Sequence, residues 1–149
     1  MSYNVSLPSY SVGTDVYKLV GSICAGYGHE AAAIGGHKAM AAVKDKLCKA
    51  IIDSDIEISD FIWYGGEASY ENVENLMSLE TVRNADMLFA IGGGKATDTV
   101  KTLADMTGKP VFTFPTIASN CSSCTSVSIM YNNNGIFLKP HFFANPPAH

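Results

Sequence analysis

Apolar positions along the chain switch repeatedly between two spacings, and the switches mark its elements. Val16, Leu19, Val20 and Ile23 follow the i, i+3, i+4, i+7 rule of an amphipathic helix, predicting one over about 14–26 that Gly28 closes. Ala31–Ile34 is a short apolar run stopped by Gly35-Gly36, which reads as a strand. Met40, Val43, Leu47 and Ile51 return to helical spacing over about 37–52, and Phe61–Tyr64 is a strand run ended by Gly65-Gly66. Ser69, a favoured N-cap type, opens a third helix that carries Val73, Leu76 and Met77 and ends near Asn84. Met87–Ile91 is the clearest strand. Ala96, Val100, Leu103 and Ala104 then mark a fourth helix stopped by Gly108 and Pro110, and Val111–Phe114 is a strand ended by Pro115.

Strand and helix alternate at spacings of about 20–30 residues, as repeated βαβ units require. Right-handed crossovers then build an α/β fold, a doubly wound, mostly parallel sheet with helices on both faces. The last stretch differs. Val127–Tyr131 and Ile136–Leu138 flank Asn132–Gly135, and Asn-Gly is a strong hairpin signal, so a β-hairpin should leave the sheet there. No repeat or linker divides the chain, and residues 1–149 read as one domain. From Lys139 to His149, Pro140, Pro146 and Pro147 surround Phe142-Phe143. Termini are usually polar and loose, so this tail reads as a connection to more protein.

Composition narrows the function classes. Ten Lys+Arg against fourteen Asp+Glu give a net charge of −4, with 47 % hydrophobic and 16 % charged residues. That balance fits a packed core and lacks the basic footprint of a nucleic-acid binder. Apolar runs of four or five residues are far too short for a membrane span. The opening MSYNVSLPSY has no basic-then-apolar leader pattern, and a cytoplasmic location is expected. Cys24 and Cys48 fall on apolar helix faces, where cysteine serves as a small hydrophobe.

Two segments carry candidate chemistry. In Met87–Asp98 an apolar strand runs into Gly92-Gly93-Gly94-Lys95 and then a helix. Glycines allow a ligand to approach the backbone, and first-turn N–H groups with the helix dipole favour a phosphate. Lys95 adds a positive charge there, and Asp98 can fix the turn by bonding backbone N–H groups. The spacing is neither GxGxxG nor GxxxxGK[ST], and a tight packing turn is the alternative. Its place at the carboxyl end of a central-looking strand favours phosphate binding. The loop Pro115–Ser126 offers the hydroxyls of Thr116, Ser119, Ser123 and Thr125 at the same edge, although its composition alone suits an ordinary connection. Cys121-x-x-Cys124 lies inside it. With no second CxxC or HxxxH, cavity lining or packing is favoured over a zinc or redox role.

Gly92-Gly93-Gly94-Lys95-x-x-Asp98, Pro115-Thr116-Ile117-Ala118-Ser119, and Ser128-Ile129-Met130-Tyr131 with its Asn/Gly turn together resemble the glycerol dehydrogenase branch of the iron-containing alcohol dehydrogenases. Gly66-Glu67-Ala68-Ser69 looks like a further signature, and the resemblance runs from about residue 9 to 146. It implies the amino-terminal nucleotide-binding domain of the dehydroquinate synthase-like fold. Carried over by position, Gly93, Gly94 and Lys95 would hold a dinucleotide pyrophosphate, supported by Asp98. Thr116, Ser119, Thr125, Val127 and Tyr131 would line the ribose and nicotinamide of NAD or NADP. A divalent metal (zinc or iron) is expected only in the complete two-domain enzyme, because the family's aspartate and two histidine ligands lie in a helical second domain. His29, His37, His141 and His149 do not match them, so no catalytic or metal residue is assigned here.

The chain departs from the family in two further places. Asn120-Cys121 replaces the Thr-Asp that helps hold glycerol, placing Cys121 at the substrate. A thiol cannot accept two hydroxyl donors as a carboxylate does, so a hydroxy acid, a simple aldehyde or another small alcohol or carbonyl compound is the expected substrate. Gly35-Gly36-His37-Lys38 stands where a carboxylate often pairs with the NAD ribose. His37 and Lys38 would tolerate or attract the 2′-phosphate of NADP, the alternative for Lys38 being a solvated residue at a helix start. The leading reading is the cofactor-binding half of a metal-dependent NAD(P)-linked dehydrogenase, a homo-oligomer, with the isolated chain inactive. A non-catalytic nucleotide-binding module is the alternative from another class, and a lyase on the same fold ranks last.

Overall fold

A computed structural model of the protein describes residues 8–149, so most of the segment searched for a leader pattern lies outside the described residues. The chain opens with a 3-10 turn, Val16–Leu19, that passes into the short helix α1 (Val20–Cys24). Strand β1 (Glu30–Gly35), helix α2 (His37–Ile51) and strand β2 (Glu57–Trp63) follow. Helices α3 (Tyr70–Ser78) and α4 (Glu80–Asn84) lead to β3 (Met87–Gly92), then α5 (Gly94–Thr107) and β4 (Val111–Pro115). A 3-10 turn, Ser122–Cys124, precedes the strands β5 (Val127–Tyr131) and β6 (Phe137–Phe142).

Strands β1 to β4 form one sheet in the order β2-β1-β3-β4, and every pairing is parallel. Alternation along the central strands explains the two cores. Ala31, Ala33, Met87, Phe89 and Ile91 pack against Val20, Met40, Val43 and Leu47 of α1 and α2. Their neighbours Ala32, Ile34, Leu88 and Ala90 face Val73, Leu76, Val82, Val100 and Leu103 of α3, α4 and α5. Strands covered on both faces read as unbroken apolar runs, which is why β1 and β3 show no polar alternation. The doubly wound parallel sheet with helices on both faces is thus present as expected.

At its carboxyl end β1 passes close beside β3. A Cβ on Gly35 would stand 2.1 Å from the carbonyl oxygen of Ile91, so this register admits no side chain there.

Three sequence-based boundaries before the hairpin need correction. The helix expected over 14–26 starts as a 3-10 turn, and α1 itself is five residues long. The run from Ser69 to Asn84 is two helices, broken where Leu79 is extended (φ −72°, ψ 132°). That break turns α4 so that Val82 can bury beside Ala85 and Leu88. Strand β2 begins at Glu57 instead of Phe61; an edge position leaves it exposed enough to take Glu57, Ser59 and Asp60. Its register with β1 shifts between Ala31 and Ala32, leaving Ser59 as the extra residue.

The hairpin forms a separate two-stranded antiparallel sheet. Asn132 organises its turn, the side-chain oxygen accepting from the N–H groups of Asn134 (3.0 Å) and Ile136 (2.9 Å). β6 extends to Phe142, past the expected Leu138, carrying Pro140 into its pairing with Ile129. The last residues are not loose either. Ala148 N–H donates to Val111 and Thr113 N–H to His149, both at 2.9 Å, along the free edge of β4.

Candidate functional site

The chain leaves β1 toward one face of the sheet through α2 and leaves β3 toward the other through α5. Between these neighbouring strands lies the switch point at which open α/β sheets bind ligands. Both departing helices begin there on a glycine, Gly36 for α2 and Gly93 for α5, and no side chain caps either one. The first-turn N–H groups of α5 therefore lie where the dipole is positive and no side-chain oxygen competes for them. Gly92 makes the turn at φ +146°, a conformation that suits glycine, and a Cβ on it would crowd Ala96 at 3.1 Å.

Lys95 stands on the first turn of α5. Its Nζ lies 2.7 Å from Oε2 of Glu67, which the β2–α3 connection supplies. The lysine is 57 % exposed and the glutamate 14 %, so the carboxylate is held in the wall while the ammonium still reaches solvent. Hydrogen bonding to Glu67 keeps the Lys95 ammonium above its ordinary range. The other carboxylate oxygen, Oε1, accepts from Ala68 N–H at 3.0 Å.

Asp98, one turn on, points the other way. Its Oδ1 accepts from Ser122 Oγ at 2.6 Å, and its Oδ2 accepts from Ile129 N–H at 3.1 Å. The expectation that it bonds the glycine turn is corrected: it fastens the loop after β4 and strand β5 to α5. Lys101 completes the fastening from a site only 2 % exposed. Its Nζ lies 3.2 Å from Asp98 Oδ1 and donates to Thr125 O (3.2 Å) and Val127 O (2.5 Å). Burial pushes this lysine down from its ordinary range, against the pull of Asp98.

Two recesses flank the turn. One, of about 370 Å³, is walled by Gly94, Lys95, Asp98, Cys121, Thr125, Val127 and Tyr131, with Ser122 and Ile129 among its other neighbours. The other, of about 580 Å³, runs past Gly36, His37, Lys38, Trp63, Tyr64 and Thr116. There the His37 ring stacks on Trp63, centroids 5.4 Å apart and planes within 12°. A larger recess of about 660 Å³ lies at the far end of α5, around Gly108, Phe143 and Pro146, away from both glycine turns.

The structure thus gathers His37, Lys38 and Thr116 on one side, and Gly94, Lys95, Asp98, Cys121, Thr125, Val127 and Tyr131 on the other. Gly93 sits between them at the N-cap of α5, under Ile117. Ser119 is exposed and lines neither recess. Sequence reasoning missed Glu67 as the partner of Lys95, Trp63 as the platform under His37, and Lys101 as a buried cation. Only Glu67 carried a signal, as a lone acid between a glycine pair and a helix cap.

A family model described as iron-containing alcohol dehydrogenase matches residues 8–146. The chain belongs to the iron-containing alcohol dehydrogenase family. Among curated relatives, glycerol dehydrogenase of Thermotoga maritima is 40 % identical over 84 residues, covering 56 % of this chain and 23 % of the relative. Glycerol dehydrogenase of Escherichia coli is 29 % identical over 140 residues, or 93 % of this chain and 37 % of the relative. Glycolaldehyde reductase of Halobacterium salinarum is 25 % identical over 139 residues, covering 93 % and 38 %. The chain therefore spans between 23 % and 38 % of the length of these relatives. The fold of this iron-containing alcohol dehydrogenase family member matches the solved glycerol dehydrogenase of Schizosaccharomyces pombe with a TM-score of 0.84 at 20 % identity, over 99 % of this chain and 37 % of that one.

Proposed function

We propose that this chain holds the NAD(P) dinucleotide for a dehydrogenase acting on a small alcohol, carbonyl compound or hydroxy acid. The observation that carries this reading is the uncapped, glycine-initiated N-terminus of α5 at the sheet's switch point, with Lys95 beside it. Gly93 and Gly94 would carry the pyrophosphate on their backbone, with Lys95 adding charge. The recess past His37 and Trp63 would take the adenosine, and the recess bounded by Thr125, Val127 and Tyr131 the nicotinamide. Bound there, the nicotinamide would supply hydride exchange with the substrate's carbonyl carbon. The protein's part is to orient the cofactor and to wall off its reactive face.

Among the described residues no carboxylate lines the adenosine recess, whereas His37 and Lys38 do. That supports tolerance of, or preference for, the 2′-phosphate of NADP. Cys121 on the other wall supports a substrate with fewer hydroxyls than glycerol. Hydroxycarboxylate dehydrogenase A of Escherichia coli, 33 % identical over 110 residues, adds support for a hydroxy acid. Among the described residues no three His, Cys, Asp or Glu side chains gather as a metal-holding set. Four unpaired cysteines suit a reducing compartment such as the cytoplasm.

Calorimetric titration of the chain with NADPH and, separately, NADH in metal-free buffer tests the reading. Saturable binding that Lys95→Glu abolishes is expected, with NADPH bound at least as tightly as NADH. Absence of binding up to millimolar dinucleotide, in a chain shown to be folded, overturns it.

A further inference from the structure

The Cys121-x-x-Cys124 pair remains unexplained by cofactor binding. Its residues bound a 3-10 turn closed by a hydrogen bond from Cys124 N–H to Cys121 O at 3.1 Å. Such a turn holds its first and fourth Cα atoms within about 7 Å and brings their side chains onto one side. That separation falls in the range a disulfide spans. The Cys124 thiol already donates to Cys121 O at 3.3 Å, so its sulfur lies against the backbone that carries the other thiol. Both are free, Cys121 exposed on the wall of the smaller recess and Cys124 half-buried. Beneath them Lys101 presents a buried ammonium to Thr125 O, one residue beyond the pair.

We propose that Cys121 and Cys124 are an oxidisable dithiol in which a peroxide drives closure to a reversible disulfide that reshapes the wall of the smaller recess. The Cys121 thiolate attacks one peroxide oxygen, the O–O bond breaks, and a sulfenic acid forms while the departing hydroxide takes a proton to become water. The Cys124 thiolate then attacks that sulfur; the S–S bond forms, the S–O bond breaks, and a second water leaves. The dithiol loses two electrons and two protons, and the peroxide is reduced to two waters. Closure draws the Cys121 sulfur away from the recess toward Cys124. Ser122 Oγ on Asp98 and Thr113 Oγ1 on Ser123 O (2.9 Å) pin the intervening turn, so the strain of closure passes to the Asn120–Thr125 wall. The effect on cofactor rests on the function proposed above, whereas the chemistry of the pair does not.

The chain carries its own controls. Cys24 is buried, its thiol pushed up to about 12 by that burial, and Cys48 stands alone on the exposed side of α2. The reduced 149-residue chain is treated with hydrogen peroxide, and its free thiols and peptide masses are measured. The expected result is loss of two thiols, a Cys121–Cys124 linked peptide two mass units lighter, and full reversal by dithiothreitol. Cys121→Ser and Cys124→Ser each abolish the link. NADPH affinity should fall at least tenfold on oxidation and recover on reduction. No intramolecular link, or oxidation of Cys48 ahead of the pair, overturns the assignment. A link that leaves NADPH affinity unchanged overturns the reshaping of the wall. A link in a chain that binds no dinucleotide even when reduced supports the dithiol and refutes the cofactor reading alone.

Discussion

The Lys95 ammonium and the Glu67 carboxylate meet at 2.7 Å on the first turn of α5, at the place where a phosphate would sit. An anion arriving there shares the lysine with a resident carboxylate. Glu67→Gln keeps the hydrogen-bonding shape and removes the competing charge. Its effect should be small, because the ion pair is partly solvated and such pairs are worth under about 1 kcal/mol. We expect dinucleotide affinity to rise about two- to fivefold, with a steeper decline as salt is added. Titrations at two salt concentrations check this, and weaker binding would mean that Glu67 orients Lys95.

Lys101→Met leaves the Asp98 carboxylate with Ser122 and Ile129 but without its cation, in a site where neither side chain is more than 11 % exposed. Breaking a buried pair from one side costs on the order of 3 kcal/mol, and urea unfolding should show a loss of that order. Adding Asp98→Asn should cost less than the sum of the two single losses. Strictly additive losses would contradict the pairing.

Two glycines separate fold from site. A Cβ at Gly35 meets the Ile91 carbonyl at 2.1 Å, whereas one at Gly94 meets the movable Asn120 amide at 2.7 Å. Gly35→Ala should therefore destabilise by about 2–3 kcal/mol. Gly94→Ala should leave stability within about 0.5 kcal/mol while weakening dinucleotide binding tenfold or more. Thermal unfolding and titration of both variants test the distinction.

Asp86 contributes to the acid limb of stability. Its Oδ2 accepts from His29 N–H at 2.7 Å and Glu30 N–H at 3.0 Å, tying the start of β1 to the start of β3. Those bonds, Glu30's first, hold its carboxyl below the ordinary 3.8. A carboxyl lowered by folding adds stability above its unfolded value, lost as pH falls through its folded one. Wild-type stability should thus drop as pH falls below about 4, and Asp86→Asn should show less of that drop. Parallel pH profiles for the two proteins would contradict the assignment.

Much of the sheet could be read directly because its signals are local. The run Met87–Ile91 into three glycines marks β3 and the helix after it, and Asn132–Gly135 marks the hairpin. What escaped depends on distant partners. Nothing near Leu79 announces a break, since the reason for it is the burial of Val82 against the sheet. Asp98 is legible as an acid one turn past the glycines, but it bonds Ser122 and Ile129, 24 and 31 residues away, instead of the turn. The pairing of Lys95 with Glu67 spans 28 residues and a strand crossover, beyond the reach of any periodicity. Ser119, a hydroxyl of the loop after β4, faces solvent, whereas Ser122 in the 3-10 turn that follows is the hydroxyl that reaches Asp98.

The central claim is that a dinucleotide lies across the start of α5 between the two recesses. Two-dimensional amide NMR of the isotopically labelled chain, titrated with NADPH, tests it most directly. We expect the largest shifts at the amides of Gly93, Gly94 and Lys95, with smaller ones at the Trp63 indole and at Tyr131. Shifts confined to the far end of α5 around Gly108 and Phe143, or none at all, would contradict the account.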